Sequence, residues 1–308
     1  MEQKLEDRIY TYSNYLKRKY GRKIFRVGLS TGVKCPHRSE QNGCIFCNSN
    51  SFTGEYQSEN LSIKKQLDKA IPLVTKSCGN VDLLAFFQDE TSTAGNISEL
   101  KEKFSQALSH PKIIGLIVST RPDYVNEKIV KMLSSFNVPV TIEIGLQTIH
   151  DKSLEFLNRG HTFEQSQKAI DLCGIAGLEI GVHLIMGIHG ESFIEMKETI
   201  EYVSSNEYIK QVKFHNMMIY KNTKLAEMYK RGQISIFKID EYIKILGNLL
   251  PILRGDIVIT RLFTSNILNT DLTIGDFKGN KTKWMNSLRN YIYRNYIIQG
   301  NETKTRFE

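Results

Sequence analysis

The chain alternates between two hydrophobic periods, one typical of strands and one typical of helices. Apolar runs of six to nine residues predict seven strands, at 24–29, 81–87, 113–119, 138–146, 178–186, 209–217 and 257–263. Apolar positions three or four apart predict the helices between them, at 61–76, 97–108, 125–135, 151–176, 192–204 and 240–253. Helices of this length between strands imply right-handed crossovers and a parallel sheet. The predicted fold is α/β, a partial (β/α)6-type barrel with outer helices.

Polar residues on one face of the later strands predict a ligand-filled lumen. In the strand predicted at 138–146, the even-numbered residues from Val140 to Leu146 are apolar. The odd-numbered residues, which include Glu143 and the following Gln147, are polar or glycine and fall on the opposite face. The next two strands repeat this pattern with Glu179, Gly181, His183, Lys213 and His215. Because a parallel strand is normally apolar on both faces, these positions are expected to line a cavity. A dry core with a hydrogen-bonded polar network is the alternative.

Length and composition are compatible with one α/β barrel-sized domain or two small ones, and they argue against a membrane span. The chain has 308 residues, of which 41% are hydrophobic, so it can bury a large core. It has no apolar run approaching the roughly 18 residues of a membrane span, and the charged start MEQKLEDR lacks the apolar core of a signal peptide. Its cysteines number five, an odd count that fits a reducing cytoplasm better than a disulfide framework.

Positive charge is concentrated at the two ends of the chain. Residues 1 to 26 carry eight basic against three acidic side chains, and residues 275 to 308 carry seven against three. We therefore divide the chain into a basic, Tyr-rich extension (1–23), a core (24–263) and a second basic extension (264–308). The basic residues alternate with Tyr10, Tyr12, Tyr15, Tyr20, Tyr291, Tyr293 and Tyr296. This mixture suits phosphate contact and base stacking, which predicts an RNA partner; solvated termini are the alternative.

Three cysteines follow the first predicted strand in the spacing CxxxxxxxxCxxC. Cys35, Cys44 and Cys47 can ligate three irons of a 4Fe-4S cluster, which leaves the fourth iron open to a chelating molecule. The alternative is a structural zinc site that His37 completes as the fourth ligand. Spacing alone does not separate the two. Cys78 and Cys173 stand apart, and we interpret both as structural thiols.

The cysteine loop and five later segments resemble radical S-adenosylmethionine (SAM) enzymes. The segments are FFQDETSTAG (86–95), STRPDYV (119–125), IEIGLQTIHDKSLEFLNRGH (142–161), VHLIMGIHGE (182–191) and VKFHNMMIYKNTKLAEMY (212–229). They are most similar to the YhcC-like branch, which is related to the radical domain of the Elongator catalytic subunit. The resemblance spans residues 24 to 263 and favours the cluster over structural zinc.

The resemblance implies two cofactors, a 4Fe-4S cluster and SAM. One electron from the cluster would cleave SAM to methionine and a 5′-deoxyadenosyl radical, while the protein binds, orients and excludes water. Phe46 matches an aromatic that shields the cluster, Glu143 an acid that binds the ribose, and Arg159 a residue that pairs with the methionine carboxylate. Further expected cofactor contacts are Gln88, Gln147 and Gly187.

Two positions depart from the family pattern. Many relatives carry Gly-Gly-Glu after the second strand to bind the methionine amine, where this chain reads Phe87-Gln88-Asp89-Glu90. Gln88, either acid or backbone carbonyls are the candidates for that contact. His189 replaces a proline in the segment GIHGE, where two glycines still allow the chain to turn.

Substrate contacts are expected at the carboxyl ends of the late strands, where barrel sites collect. The candidate catalytic residues there are His183, Lys213, His215 and Tyr220. Relatives near the Elongator subunit act on tRNA, which suggests the carbon-5 side chain of a wobble uridine. No room follows residue 308 for an acetyltransferase domain, so radical-only chemistry is expected, with flavodoxin or ferredoxin as electron donor. The alternatives are a radical enzyme acting on a metabolite or protein, and a non-catalytic zinc or iron-sulfur RNA-binding module.

Overall fold

The predicted strands form one parallel sheet in the computed structural model, which describes residues 3–49, 54, 56–57, 61–88, 90–264, 273–275, 277 and 280–305. Within these residues the sheet has seven strands in chain order. They are β1 (Ile24–Leu29), β2 (Asp82–Phe87), β3 (Ile113–Thr120), β4 (Val140–Gln147), β5 (Glu179–Met186), β6 (Ile209–Asn216) and β8 (Val258–Arg261); β7 (Ile219–Tyr220) and β9 (Thr273–Ile274) form a separate antiparallel pair. Each predicted strand is present, with bounds shifted by at most two residues.

Helices cover the outside of the sheet. They are α1 (Tyr12–Tyr20), α2 (Pro36–Glu40), α3 (Ile63–Cys78), α4 (Ile97–Leu108), α5 (Glu127–Ser134), α6 (Asp151–Phe156), α7 (Phe163–Ile175), α8 (Phe193–Ser205), α9 (Lys224–Lys230), α10 (Ile239–Leu249) and α11 (Lys281–Arg294). The sequence pattern predicts all of these except α1, α2, α9 and α11. Capping boxes at Thr162 and Ser192 fix the starts of α7 and α8.

The alternation predicted for β4 separates core from lumen. Ile142, Ile144 and Leu146 are fully buried in the main hydrophobic cluster, which also contains residues of α7 and α8. Glu143 points to the other side, where it meets side chains from β3, β5 and β6. The predicted partial barrel is confirmed: β1 to β6 form six successive β/α units, and β8 extends the open sheet by one strand.

Helix α1 lies between the two edge strands of this open sheet. It contacts β1 and β8, and Ile259 N–H donates to the Tyr10 carbonyl just before the helix at 2.8 Å. Tyr15 Oη donates to the carboxylate of Glu179, the first residue of β5, at 2.7 Å. The Tyr-rich N-terminal segment is therefore packed against the amino end of the lumen, and the rings of Tyr12 and Tyr15 belong to a small apolar cluster there. These two rings are not available for base stacking.

The C-terminal helix α11 also packs on the core. Trp284, Leu288 and Ile292 are buried, and the helix lies against α10. Tyr291 sits over Gly247, where a Cβ atom would come within 2.6 Å of the ring. Of the three tyrosines predicted to stack on bases at this end, Tyr291 and Tyr293 are partly buried, and Tyr296 has 81% of its surface exposed. None of the described helices combines the length and apolar character needed to cross a bilayer.

Candidate active site

The three predicted cluster cysteines lie on one loop at the carboxyl end of the sheet. Cys35 precedes the short helix α2, whose first residue is Pro36, and Cys47 N–H donates to the Cys44 carbonyl at 3.1 Å in a tight turn. The loop is held by backbone hydrogen bonds from Ile45 N–H to Leu157 and from Leu225 N–H to Ile45. All three cysteine residues are partly exposed.

Two arginines donate directly to the cysteine sulfurs. Arg159 Nη1 lies 3.3 Å from Cys44 Sγ, and Arg38 Nη2 lies 3.3 Å from Cys47 Sγ. Burial alone would raise the pKa of Cys44, but Arg159 and a contact from His37 lower it to about 6. Burial and the neighbouring Cys44 raise the pKa of Cys47, although Arg38 opposes this shift. Cysteine sulfurs held beside guanidinium groups suit an anionic iron-sulfur cluster, so these residues fit the cluster.

His37 holds the cysteine loop in place. Its Nδ1 lies 3.0 Å from Gln41 Oε1, and its Nε2 is hydrogen-bonded to the Asn158 carbonyl. Both ring nitrogens therefore have partners within the fold, and the ring also contacts the Cys44 thiol. The alternative in which His37 ligates zinc stays a prediction. Within the described residues, no three His, Cys, Asp or Glu side chains are grouped so that they could hold a single metal ion.

Glu90 connects the cysteine loop to the segment after β2. Its carboxylate accepts hydrogen bonds from the Cys35 backbone N–H and from Arg38, and its backbone takes the left-handed conformation at φ 53°. This pairing makes Glu90 a support for the loop. Gln88 lines the neighbouring cavity and remains the candidate for the methionine amine, whereas Asp89 lies outside the described residues.

A cavity of about 390 Å³ opens beside Cys47 at the carboxyl ends of the strands. It brings together nine of the predicted site residues: Phe46, Cys47, Gln88, Gln147, Arg159, His183, Lys213, His215 and Tyr220. Cys44 adjoins the cavity through its contact with Arg159. Gly187 is not among the residues that line it; its backbone turns at φ +85°, and a Cβ there would come within 2.6 Å of the Phe237 ring.

Arg159 is placed where a carboxylate bound near the cluster could pair with it. Its guanidinium is buried at 7% exposure and contacts Cys44 Sγ, His161 and the Gly145 carbonyl. Gly145 leaves the space for this side chain, because a Cβ there would lie 2.9 Å from both Arg159 Nη2 and Gln147 Nε2. The predicted pairing with the methionine carboxylate is compatible with this position and stays a prediction.

Glu143 is not among the residues that line the cavity; it is buried and hydrogen-bonded, in a polar network, to side chains that do line it. Its Oε2 accepts hydrogen bonds from Ser119 Oγ at 2.8 Å, from His183 Nε2 at 2.8 Å and from Lys213 Nζ. Among the described residues, no hydrogen bond to its Oε1 is found. The predicted ribose contact of Glu143 therefore has one oxygen left to make it, while the other holds the network together.

The network perturbs the pKa values of its members. Burial would raise the pKa of Glu143, but Lys213 and His183 hold it well below its ordinary value. Burial and the charge of Lys213 lower the pKa of His183 to about 4. Burial also lowers the pKa of Lys213 to about 7, although Glu143 opposes this shift.

The lowered pKa of His183 predicts a pH dependence of stability. Between pH 6.5 and about 5, the unfolded chain takes up a proton at His183 that the folded protein does not, so the free energy of unfolding should fall as the pH falls. His183→Gln should reduce this dependence. Urea unfolding of both proteins across this range, above the pH at which carboxyl groups titrate, measures the difference. Identical slopes would contradict the prediction.

Sequence reasoning missed three arginines of this site, namely Arg38, Arg121 and Arg261. Arg121 lines the cavity from the STRPDYV segment, and its Nε and Nη2 donate to Asp123. Its Nη1 is buried and has no hydrogen-bond partner among the residues that the structure describes. Arg121 directly follows β3, at the carboxyl end of the strands where barrel sites collect. This position in the sequence is a signal that could have placed it in the site. Arg38 had no such signal, since its contact with Glu90 crosses 52 residues.

Comparison with protein families matches most of the chain. A model described as the radical SAM superfamily matches residues 29–203, and one described as the radical SAM C-terminal domain matches residues 209–294. Protein YhcC from Escherichia coli is 32% identical over 267 residues, which is 85% of this chain and 85% of that protein.

Two archaeal proteins connect the chain to the Elongator family. A tRNA uridine(34) acetyltransferase from Methanocaldococcus jannaschii is 32% identical over 151 residues, which is 48% of this chain and 28% of that protein. The solved structure of Methanocaldococcus infernus Elp3 with an N-terminal deletion superposes with a TM-score of 0.70 at 18% identity, covering 90% of this chain and 64% of that one. At this identity, the superposition supports the shared fold.

The cofactors of the matched family are a 4Fe-4S cluster and SAM. Reduction of the cluster supplies the electron that cleaves SAM and generates a 5′-deoxyadenosyl radical. Cys35, Cys44 and Cys47 would hold the cluster, and the wall formed by Phe46, Gln88, Gln147 and Arg159 would hold SAM. The chain's own contribution is to place charge and exclude water around these groups.

Replacing Arg159 by lysine should weaken SAM binding. Lysine keeps the positive charge but lacks the planar guanidinium group, which contacts Cys44 and also lines the cavity. We therefore expect the Kd of SAM to rise about ten- to a hundredfold. Anaerobic equilibrium dialysis with proteins of equal iron content measures this, with exposed Arg231→Lys as the control. An unchanged Kd in Arg159→Lys would contradict the assignment.

Proposed function

Because the chain belongs to the radical SAM superfamily, as a relative of YhcC and of the radical domain of Elongator proteins, we propose that this radical SAM enzyme modifies tRNA. The target we propose is the carbon-5 side chain of a wobble uridine. The observation that carries the proposal is the 32% identity over 151 residues with a tRNA uridine(34) acetyltransferase. This chain spans 28% of that relative's length, so the acetyl transfer is not part of the proposal.

The surface at the start of the chain supports a polyanionic partner. Lys17, Arg18 and Lys23 are exposed on and after α1. Lys19 and Arg22 instead form ion pairs with acidic residues at the amino ends of β5 and β2, so they hold the helix in place. The proposed RNA contact therefore rests on the exposed three, which we call the α1 basic face.

Removing the α1 basic face should weaken RNA binding. We expect the variant Lys17→Gln, Arg18→Gln, Lys23→Gln to raise the Kd for tRNA about tenfold and to reduce the slope of log K against log salt by about two to three, because each phosphate contact contributes about 0.7–0.9. The matched control is Lys64→Gln, Lys65→Gln, Lys69→Gln on α3, which removes three exposed charges elsewhere. Equal losses in both variants would indicate nonspecific attraction.

Nucleoside mass spectrometry tests the proposed reaction directly. The tRNA from a strain lacking this protein should lose one modified uridine, or accumulate its precursor, and the wild-type gene should restore the profile. A gene encoding Cys47→Ser should not restore it. An unchanged nucleoside profile in the deletion strain would contradict the proposal and favour a metabolite or protein substrate.

The proposed reaction also requires a low-potential electron donor. We propose a flavodoxin or ferredoxin in the cytoplasm, because the cluster must be reduced before SAM is cleaved. Each candidate, with its reductase and NADPH, should support formation of 5′-deoxyadenosine in place of a chemical reductant. A candidate that supports no turnover is excluded as the donor.

A further inference from the structure

The wall of the cavity formed by β5, β6 and β8 carries an excess of positive charge. His183, Lys213 and Arg261 occupy paired positions on these three strands, so their side chains form one row across the sheet. His215 lies two residues after Lys213, and its ring is 5.2 Å from that of His183. All four line the cavity.

Further cations adjoin this row from the edge of the sheet. Arg26 on β1 and Lys281 at the start of α11 both lie close enough to Arg261 for their positive charges to interact with it. Burial and the charge of Arg26 lower the pKa of Arg261, and burial and these two arginines lower the pKa of Lys281. Like charges held together away from water repel one another, which is unfavourable unless an anion balances them.

The nearby acid does not balance this charge. Glu143 is the one carboxylate in the network, and its Oε2 is shared by Lys213 and His183. Among the described residues, Arg26 and Arg261 form no ion pair with an acidic side chain. Aromatic rings partly compensate, since Arg26 lies 4.8 Å from the Tyr12 ring and 5.2 Å from the Phe86 ring. Ring faces do not satisfy the N–H groups at the edges of the guanidinium.

Within the part of the chain that the structure describes, two polar atoms of this region are buried without a hydrogen-bond partner. They are Arg26 Nη1 and His215 Nε2. His215 Nδ1 lies 2.7 Å from Thr264 Oγ1, so the unpartnered nitrogen is the one on the far side of the ring. Buried polar atoms are nearly always hydrogen-bonded in a working protein, by the protein itself, by water or by a ligand.

We propose that this wall, defined by Lys213, His215 and Arg261, binds a small organic anion that is a substrate or co-substrate of the enzyme. The anionic group is a carboxylate or a phosphate, since both accept several hydrogen bonds from a guanidinium and an imidazole. Arg159 lines the same cavity, so a bound anion would share this space with the cofactor. The inference rests on the radical SAM chemistry and holds whether or not tRNA is the acceptor.

Calorimetric titration of the anaerobic, cluster-loaded protein in the presence of SAM tests this site. The probes are malonate, inorganic phosphate and, as a neutral analogue, malonamide, all at constant ionic strength. We expect saturable binding of malonate or phosphate in the millimolar range, no binding of malonamide, and at least tenfold weaker anion binding in Arg261→Gln. Exposed Arg231→Gln should bind like the wild type.

The relative affinities for malonate and phosphate show which anionic group the substrate carries. Preference for malonate indicates a carboxylate substrate, and preference for phosphate indicates a phosphorylated one. Absence of saturable binding, equal binding by malonamide, or unaltered binding in Arg261→Gln would overturn the inference. Anion binding that is lost when SAM is added would also overturn the inference, because it would place the anion in the part of the cavity that holds the cofactor. None of these results depends on the tRNA nucleoside profile, so the two proposals fail separately.

Discussion

Replacing Cys47 by serine should abolish SAM cleavage. Each of the three loop cysteines would ligate one iron of the cluster, so loss of one thiolate would leave the cluster with too few ligands. We expect iron to fall well below about four per chain and the rate of 5′-deoxyadenosine formation to fall at least about a thousandfold. Anaerobic iron analysis and product chromatography measure both.

Cys78 supplies the matched control for this change. It is partly exposed at the end of α3, away from the loop, so Cys78→Ser should keep the iron content and the activity of the wild type. Loss of activity in both variants would show that thiol removal acts through stability. Full activity in Cys47→Ser would contradict the assignment of the cluster ligands.

Replacing Glu143 by glutamine should cause the largest loss of stability in the site. Glu143 and Lys213 are each 2% exposed, and the change leaves the ammonium of Lys213 buried without its carboxylate. Breaking a buried ion pair on one side costs about 3–5 kcal/mol in the free energy of unfolding. Urea unfolding of the anaerobic protein measures this cost.

The double variant Glu143→Gln, Lys213→Met separates the structural role of Glu143 from its predicted ribose contact. Removing both charges should restore much of the stability that the single variant loses, with a coupling energy above about 1 kcal/mol. If Oε1 of the carboxylate binds the ribose, the affinity for SAM should stay below that of the wild type in the double variant, because the neutral amide oxygen of glutamine is a weaker acceptor than a carboxylate oxygen. Wild-type SAM affinity in the double variant would contradict the ribose contact and leave Glu143 a purely structural role.

The lumen could be predicted from sequence because its signal is local. The alternation in β4 shows which face Glu143 occupies, and that face is confirmed by its contacts. Its exact partners could not be predicted, since they depend on the register that places His183 beside Lys213. A shift of one residue in that pairing would turn one of the two side chains to the other face of the sheet.

The N-terminal segment shows where composition misleads. Tyr12, Tyr15 and Leu16 have helical spacing, but the tyrosines together with the basic residues that follow Leu16 favour interpretation as a nucleic-acid-binding extension. The structure packs this helix between β1 and β8, where Tyr15 and Lys19 bind Glu179. That acid lies 160 residues from Lys19, so only the folded sheet brings them together. The exposed charges that remain for an RNA partner are fewer than the sequence suggests.

The central claim is that three thiolates hold a cluster whose remaining iron binds and cleaves SAM. Metal analysis of protein purified without oxygen, followed by reduction in the presence of SAM, tests it most directly. The account predicts a brown protein with about four irons per chain that forms 5′-deoxyadenosine and methionine in equal amounts. One zinc per chain in place of iron, or an intact cluster that leaves SAM uncleaved after reduction, would contradict it.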